Sequence, residues 1–150
     1  MIPVAEAVGS GAWLQCISND GQIHFRIRVL SFEPISLSEV DGREKMQILD
    51  EGVWSLLKIE VVNLNKMEIH VQNLYSISLQ DQNGFQFRVR WEDPQLNCWS
   101  QYSMRVGLNR FYARQLSPKI KTPGALAFLL PDDDEAEYAL VMRDGTICEA

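Results

Sequence analysis

Apolar and polar residues alternate along much of the segment between residues 54 and 91. The alternation is clearest over residues 57–61, 75–80 and 85–91, where every second side chain is apolar. A period of two places alternate side chains on opposite faces of a strand, which is typical of a half-buried antiparallel sheet. We therefore expect these runs to form one sheet of three strands, on which the rest of the chain packs. The side chains expected in the core are Ile59, Ile77 and Phe87.

Four further segments that read as strands flank this sheet in the sequence. In one of them the apolar positions shift by one residue between Val29 and Leu30, which predicts a β-bulge, with Leu30 and Phe32 facing inward beyond it. Seven or eight short strands with almost no helical periodicity predict a sandwich or a barrel. The four segments are residues 13–18, 23–32, 124–130 and 138–142.

Turn signals and an irregular stretch separate these strands. Asp20-Gly21 suits a tight hairpin, because glycine readily adopts a positive φ. The stretch from Asp81 to Gly84 has Asp and Gly at the first and fourth positions of a turn. Residues 34–52 are polar and predict an exposed loop, which is either a partner site or a disordered insertion. The predicted domains are a flexible N-terminal segment, 1–11, and a single β-sandwich domain, 12–150.

The charge balance and the apolar runs restrict the partners and the location of the protein. Fourteen basic and twenty acidic residues give a net charge of -6, which disfavours non-specific binding to nucleic acid or to an anionic membrane. No apolar run approaches the ~20 residues that a membrane-spanning helix needs. The first residues contain Glu6 and no continuous apolar stretch of the kind found in secretion signals. We expect a cytoplasmic protein, the alternative being export if the chain is a trimmed mature form.

The three cysteines, Cys16, Cys98 and Cys148, lie far apart in the sequence. No pair has the Cys-x-x-Cys spacing of metal and redox sites, and an odd number leaves at least one thiol free. We therefore expect reduced cysteines that behave as small hydrophobic residues.

Residues that could ligate a metal or perform catalysis are few and scattered. His24 and His70 lie on different segments, whereas zinc needs three or four converging ligands. The acidic run from Asp132 to Glu137 lacks the alternating spacing and the central glycine of a calcium loop. There is no Gly-x-Ser-x-Gly elbow and no glycine-rich phosphate loop. The sequence therefore predicts no catalytic residue, no metal and no cofactor.

One segment combines basic and aromatic residues without a strand period. Arginine and lysine recur from Arg105 to Lys121 with no acidic residue between them, and aromatic residues are interleaved or adjacent. Arginine together with aromatic residues is typical of protein-interface hot spots and of platforms for single-stranded nucleic acids. The alternative is that the aromatic residues are core and the cations form a solvated rim. The partner-binding residues predicted here are Trp99, Arg105, Arg110, Phe111, Tyr112 and Arg114.

Several short motifs follow one another in an ordered series. They are a strand ending on Asn63, an Asp-x-x-Gly hairpin at 81–84, Leu116-Ser117-Pro118-Lys119, a Gly-x-x-x-Phe-x-x-Pro strand at 124–131 and a Tyr-x-Leu strand at 138–140. Over residues 22–142 this series resembles the bacterial immunoglobulin-like domain family of unknown function seen in exported lipoproteins and small secreted antigens. Lys119 stands where that family usually has Gly. The resemblance implies an all-β, immunoglobulin-like β-sandwich of seven to eight mostly antiparallel strands, and it implies no catalytic residue.

The function predicted from these observations is that of a non-enzymatic interaction or accessory module that binds another protein. One alternative is RNA or single-stranded DNA binding through residues 99–121, which the net acidity disfavours. Another is a metalloprotein or hydrolase whose site is assembled from residues far apart in the sequence. Exposed sheet edges also predict that a homodimer can form by pairing of edge strands. The identity of the partner and the biological process are not encoded in any motif.

Overall fold

The computed structural model describes residues 1–34, 52–90 and 115–150. Eleven β segments occur in these residues, and eight of them have three residues or more. In chain order the elements are β1 (Ile2–Pro3), helix α1 (Val4–Ser10), β2 (Trp13–Ser18), β3 (His24–Pro34), β4 (Val53–Asn63), β5 (Ile69–His70), a 3₁₀ helix (Val71–Ser76), β6 (Ile77–Gln80), β7 (Gln86–Arg88), β8 (Gln115–Leu116), β9 (Lys121–Leu130), β10 (Ala139–Met142) and β11 (Gly145–Glu149).

The strands form two main sheets, and the strand pairs within both are antiparallel. One sheet has five strands in the order β11-β2-β3-β4-β9, and the other has four in the order β1-β10-β6-β7. The short strands β5 and β8 make a separate antiparallel pair. Buried side chains from both main sheets join in one hydrophobic cluster. The fold is therefore the all-β sandwich of mostly antiparallel strands that the sequence predicts.

The core consists of side chains that the two sheets direct toward each other. Ile59 comes from the five-stranded sheet and Ile77 from the four-stranded sheet, and both are fully buried. Phe87 is half-buried and packs against the same cluster, so the expected inward positions are confirmed. Burial of apolar surface of this kind is the dominant favourable term in folding. The largest fully buried side chains include Phe25, Phe128, Leu57, Leu74, Leu79 and Leu140.

The alternating runs between residues 54 and 91 do not share one sheet, and that expectation was wrong. The first run lies in β4, which pairs with β3 and β9. The second run begins in the 3₁₀ helix and continues as β6, which pairs with β10 and β7 in the other sheet. Phe85 is 66% exposed because it closes the hairpin, where its N–H donates to the Asp81 carboxylate at 2.9 Å. Alternation shows on which side a residue lies, but it does not identify the neighbouring strand.

Strand β3 contains the bulge that the change of phase predicts. Its register against β4 shifts between Val29 and Ser31. Leu30 is the residue inserted there, and it is 48% exposed rather than inward. Phe32 packs against the core as expected. The bulge therefore turns Leu30 toward solvent and allows Phe32 to face the core again.

The N-terminal segment 1–11, for which the sequence predicts flexibility, contains a short strand and a helix. Ile2–Pro3 pairs with β10, and Val4–Ser10 forms helix α1. Val4 and Ala7 of this helix are buried in the core, and the helix ends at Gly11, whose φ is +62° and whose N–H donates to the Ala7 carbonyl. A seven-residue helix is too short to give a readable period of 3.6. Contact with the core therefore stabilises a helix that local preference does not predict.

Residues Gly145–Glu149 form strand β11, which is not among the strands predicted from the sequence. Strand β11 pairs with β2 over five residues and forms an edge of the five-stranded sheet. A Cβ at Gly145 would overlap the carbonyl oxygen of Ile17, so this close approach requires glycine.

Within the described ranges the one α helix is α1, which has seven residues. A membrane-spanning helix needs ~20 residues. Accordingly, no helix in those ranges has the length and apolar character to cross a bilayer.

Candidate functional site

The six partner-binding residues predicted from the sequence, at positions 99, 105, 110, 111, 112 and 114, lie outside the described residues. Most of the predicted loop at 34–52 also lies outside them, as does Trp91 at the end of the third alternating run. Of the basic segment, Lys119 and Lys121 are described, and Lys121 begins β9. The interface hypothesis for residues 99–121 therefore stays a prediction.

The outer face of the five-stranded sheet carries a cluster of cations around one tryptophan. The antiparallel register places Trp13 opposite Arg28 and Arg28 opposite Glu60, so these three side chains form a row across β2, β3 and β4. Arg26 lies in the next row, which ends at Lys121 on β9. We call this surface the cationic face, and its residues are Trp13, Arg26, Arg28, Glu33, Lys58, Glu60 and Lys121.

Trp13 is in contact with two guanidinium groups. The ζ carbon of Arg26 lies 4.8 Å from the centre of the Trp13 ring, and that of Arg28 lies 4.9 Å from it. Both distances are within the ~6 Å over which a cation is attracted to an aromatic face. Trp13 is half-buried, so part of the ring still faces solvent. Tryptophan and arginine are the residue types that most often dominate the energetics of protein interfaces.

Glu60 neutralises part of this positive charge. Its carboxylate accepts hydrogen bonds from Nε and Nη2 of Arg28, the former at 2.9 Å, and lies 3.4 Å from Nζ of Lys121. The Glu60 side chain is 14% exposed, so these interactions are only partly screened by solvent. The hydrogen bonds from Arg28 lower the pKa of Glu60 below its ordinary value, and the positive charges of Arg28 and Lys121 act in the same direction against the effect of burial.

The other cations of this face have no such neutralising group. The β3–β4 register also places Glu33 on this side of the sheet, so four cations and two carboxylates give the face a net charge of +2, although the whole chain carries -6. Within the described part of the chain, Arg26 and Lys58 take part in no ion pair. The guanidinium of Arg26 is held against Trp13 and can still pair with an external carboxylate. This surface is therefore suited to an anionic partner.

The alternation of apolar and charged residues from Ile23 to Val29 predicts that Arg26 and Arg28 point away from the core, but it assigns them no role. Local alternation is enough to predict on which face of a strand a side chain lies. The contact with Trp13 depends on the β2–β3 register, and the pairing with Glu60 depends on the β3–β4 register, which joins residues 32 positions apart. The hairpin signal at Asp20-Gly21 could have given the first register, because a tight turn fixes the pairing of its strands.

A groove lies at one end of the sandwich, between α1, β3 and the segment before β10. It encloses about 700 Å³ and is lined mainly by apolar side chains. Tyr138 forms one wall, and its ring makes edge contacts with Phe32 and Phe87 at centroid distances of 6.1 and 5.9 Å. We call it the aromatic groove, and its lining includes Val4, Val8, Phe32, Glu137 and Tyr138.

Hydrogen bonds fix the acidic wall of the aromatic groove. The side-chain oxygen of Gln82 accepts a hydrogen bond from the Glu137 N–H at 2.9 Å, and its amide donates to the Glu135 carbonyl at 3.3 Å. The N–H of Val4, the first residue of α1, donates to the Tyr138 carbonyl at 2.9 Å. Burial raises the pKa of Tyr138, and the nearby carboxylates of Asp81 and Asp133 raise it further. Carboxylates therefore surround this end of the sandwich, whereas cations predominate on the cationic face.

Two of the three cysteines lie within the described residues, and they differ in burial. Cys16 is fully buried and Cys148 is exposed, and both are free thiols, while Cys98 lies outside the described residues. Burial raises the pKa of the Cys16 thiol far above its usual range, with a smaller contribution from Cys148. Across residues 1–34, 52–90 and 115–150, no three His, Cys, Asp or Glu side chains come together as metal ligands would.

Comparisons with known proteins support the fold. No protein-family model and no curated protein sequence matches the chain. Among solved structures, the secreted protein MPT63 from Mycobacterium tuberculosis is similar at a TM-score of 0.57 with 12% sequence identity, over 93% of each chain. A conserved hypothetical protein from Bacillus anthracis is similar at 0.53 with 14% identity, over 83% of this chain and 87% of that one. At these identities the shared property is the β-sandwich fold.

Proposed function

We propose that this protein is a non-enzymatic interaction module whose cationic face binds an acidic segment of a protein partner. The observation that carries the proposal is the arrangement of Arg26, which contacts Trp13 at 4.8 Å and takes part in no ion pair within the described residues. A carboxylate that approaches this guanidinium would find a charged donor already held in place. The adjacent tryptophan offers a large contact area of the kind found at interface hot spots.

A protein partner accounts for this surface better than a nucleic acid does. Trp13 is in contact with two arginines, so its ring is not free to act as a platform on which unpaired bases stack. The carboxylate of Glu60 within the face would repel a phosphate backbone. A protein segment with separated carboxylates could instead pair with Arg26 and Lys58 and avoid Glu60.

The proposal is tested with a fluorescent oligoglutamate peptide, whose binding is followed by anisotropy at low salt. We expect wild-type protein to bind it and Arg26→Glu to weaken binding by about tenfold, since reversal of a charge at a close pair costs at least 1.4 kcal/mol. The matched control is Lys66→Glu, which makes the same change of charge at an exposed position outside the cationic face. Equal weakening by both variants, or no binding by wild type, would contradict the proposal.

A single-stranded oligothymidylate in the same assay tests the alternative partner class. Affinity for this probe that exceeds affinity for oligoglutamate, and that falls steeply with salt, would replace the protein-partner proposal with nucleic-acid binding. Weak binding of oligothymidylate that Arg26→Glu and Lys66→Glu reduce alike would be general electrostatic attraction.

The proposal includes self-association through the edge strand β11. Among the described residues this strand pairs with β2 on one side only, and Thr146, Cys148 and Glu149 are exposed. Antiparallel pairing of two β11 strands would extend the five-stranded sheet across a two-fold axis. Light scattering should then return twice the mass of 17.2 kDa that one chain has, whereas a value near 17.2 kDa at micromolar concentration would exclude the dimer.

Membership of the bacterial immunoglobulin-like family is a further part of the proposal. It is supported by the order of motifs over residues 22–142 and by the shared fold of MPT63, a secreted protein. Two locations follow from the sequence, the cytoplasm and, as the alternative, an exported form. Fractionation of cells that produce the protein distinguishes them, because recovery from the medium or the cell envelope supports export and recovery from the cytosol alone supports the cytoplasm.

A further inference from the structure

The aromatic groove is separate from the cationic face and has the dimensions of a small-molecule site. Its volume of about 700 Å³ lies within the range of roughly 300–1,000 Å³ that such sites occupy. Its floor and walls include Val4, Val8 and Phe32, whose apolar surfaces would remove the body of a ligand from water.

The aromatic wall of the groove gives the site a preference for positive charge. Tyr138 is held between Phe32 and Phe87 by edge contacts, which fix the orientation of its ring. The face of an aromatic ring carries negative electrostatic potential and attracts ammonium and guanidinium groups within ~6 Å. Tyr138 and Phe32 both line the groove, so a bound cation would meet two such rings.

A carboxylate at the groove strengthens the same preference. Glu137 lines the groove, and the hydrogen bond from its backbone N–H to the side-chain oxygen of Gln82 holds its backbone there. Burial is the larger cause of the raised pKa of Tyr138, and the nearby carboxylates of Asp81 and Asp133 act in the same direction. None of these three carboxylates forms an ion pair with another described residue. The carboxylates of Asp81 and Asp133 accept N–H groups of their own turns and do not line the groove, so Glu137 supplies the carboxylate that a bound cation would meet.

We propose that the aromatic groove binds a small organic cation, an ammonium or guanidinium group attached to an apolar body. The apolar body lies against Val8 and α1, and the charged group lies near the rings of Tyr138 and Phe32 and the carboxylate of Glu137. A small anion with the same apolar body is excluded by the same carboxylate. The proposal is independent of the cationic face, so either surface can fail its test without the other.

The test uses benzyltrimethylammonium as the cationic probe and 3-phenylpropionate as an anionic probe of similar apolar size. Each is titrated into isotopically labelled protein, and backbone NMR shifts are followed. We expect the cation to shift signals of Ala5, Val8, Phe32 and Tyr138 in a saturable manner and the anion to leave them unchanged. No saturable shift with the cation, or equal shifts with both probes, would overturn the proposal.

Variants separate the contribution of charge from that of the ring. Glu137→Gln is expected to weaken binding of the cation about three- to tenfold, whereas Glu149→Gln, an exposed carboxylate on β11, should leave it unchanged. Tyr138→Phe keeps the ring and should keep binding within about twofold, while Tyr138→Leu should weaken it severalfold. If Tyr138→Leu does not fold, Glu137→Gln alone tests the proposal. Unchanged binding of the cation by Glu137→Gln would contradict the proposed site.

Discussion

The side-chain amide of Asn63 donates a hydrogen bond to the carbonyl oxygen of Leu116 at 2.8 Å and so joins the end of β4 to β8. The same amide donates to the Met67 carbonyl at 2.9 Å, and the side-chain oxygen accepts from the backbone N–H of Asn65 at 2.8 Å. The backbone carbonyl of Asn63 accepts from the N–H of Lys119. Asn63 is fully buried, so it satisfies backbone groups of two chain segments, residues 65–67 and 116–119, where water cannot reach.

Removal of the Asn63 amide should destabilise the fold strongly. We expect Asn63→Leu to lower the free energy of unfolding by about 3 kcal/mol, because buried carbonyl and N–H groups each cost about 1–3 kcal/mol when left unpaired. Urea denaturation followed by circular dichroism measures the change. The control Asn83→Ala, at an exposed turn position, should stay within about 0.5 kcal/mol of wild type. A similar effect of both variants would show that Asn63 does not have this role.

The ion pairs of Glu60 should make stability depend on pH in the acidic range. The pKa of Glu60 in the folded protein lies below its ordinary value of 4.5, so its ionised form stabilises the fold above that pH, and the contribution is lost as pH falls through the folded value. Glu60→Gln should therefore lower the free energy of unfolding by about 0.5–1 kcal/mol at neutral pH and by much less near pH 3. Urea titrations at both pH values, with Glu149→Gln as control, test this difference. A deficit that persists undiminished in acid would contradict the assigned ion pairs.

The two described cysteines should differ sharply in reactivity. The thiolate is the reactive form, and Cys16 is fully buried with a raised pKa, whereas Cys148 is exposed on β11. In a Cys98→Ser background, Ellman's reagent should label one thiol rapidly and a second only after unfolding. Mass spectrometry of the labelled protein should place the rapid modification at Cys148. Rapid labelling of Cys16 in the folded protein would show that β2 is not buried as described.

Features encoded by local periodicity could be predicted well from the sequence. The predicted strand at residues 13–18 coincides with β2, and the change of phase near Val29 marks the bulge of β3. The hairpin at Asp81 forms as expected, since its carboxylate accepts N–H groups from Asn83 and Phe85. Each of these features is set by residues close together in the chain, so their signal is present in a short window.

Features that depend on distant pairing could not be predicted in the same way. Strand β4 pairs with β9, so Val53 lies opposite Leu130, and nothing in either local pattern specifies that choice. Helix α1 is stabilised by contact with the core, and β11 is stabilised by its pairing with β2. The cationic face and the aromatic groove are both products of such long-range packing, which is why sequence reasoning placed its candidate site elsewhere.

The central claim is that the cationic face contacts a protein partner, and site-specific photo-crosslinking in cells that produce the protein tests it most directly. A benzoylphenylalanine replacing Gln15, which lies opposite Arg26 on that face, should yield a covalent adduct with an acidic protein, and Arg26→Glu should abolish the adduct. The same photoreactive residue replacing Gln86, on the other sheet, should yield none. Adducts at Gln86 alone, at neither position, or unaffected by Arg26→Glu would contradict the account.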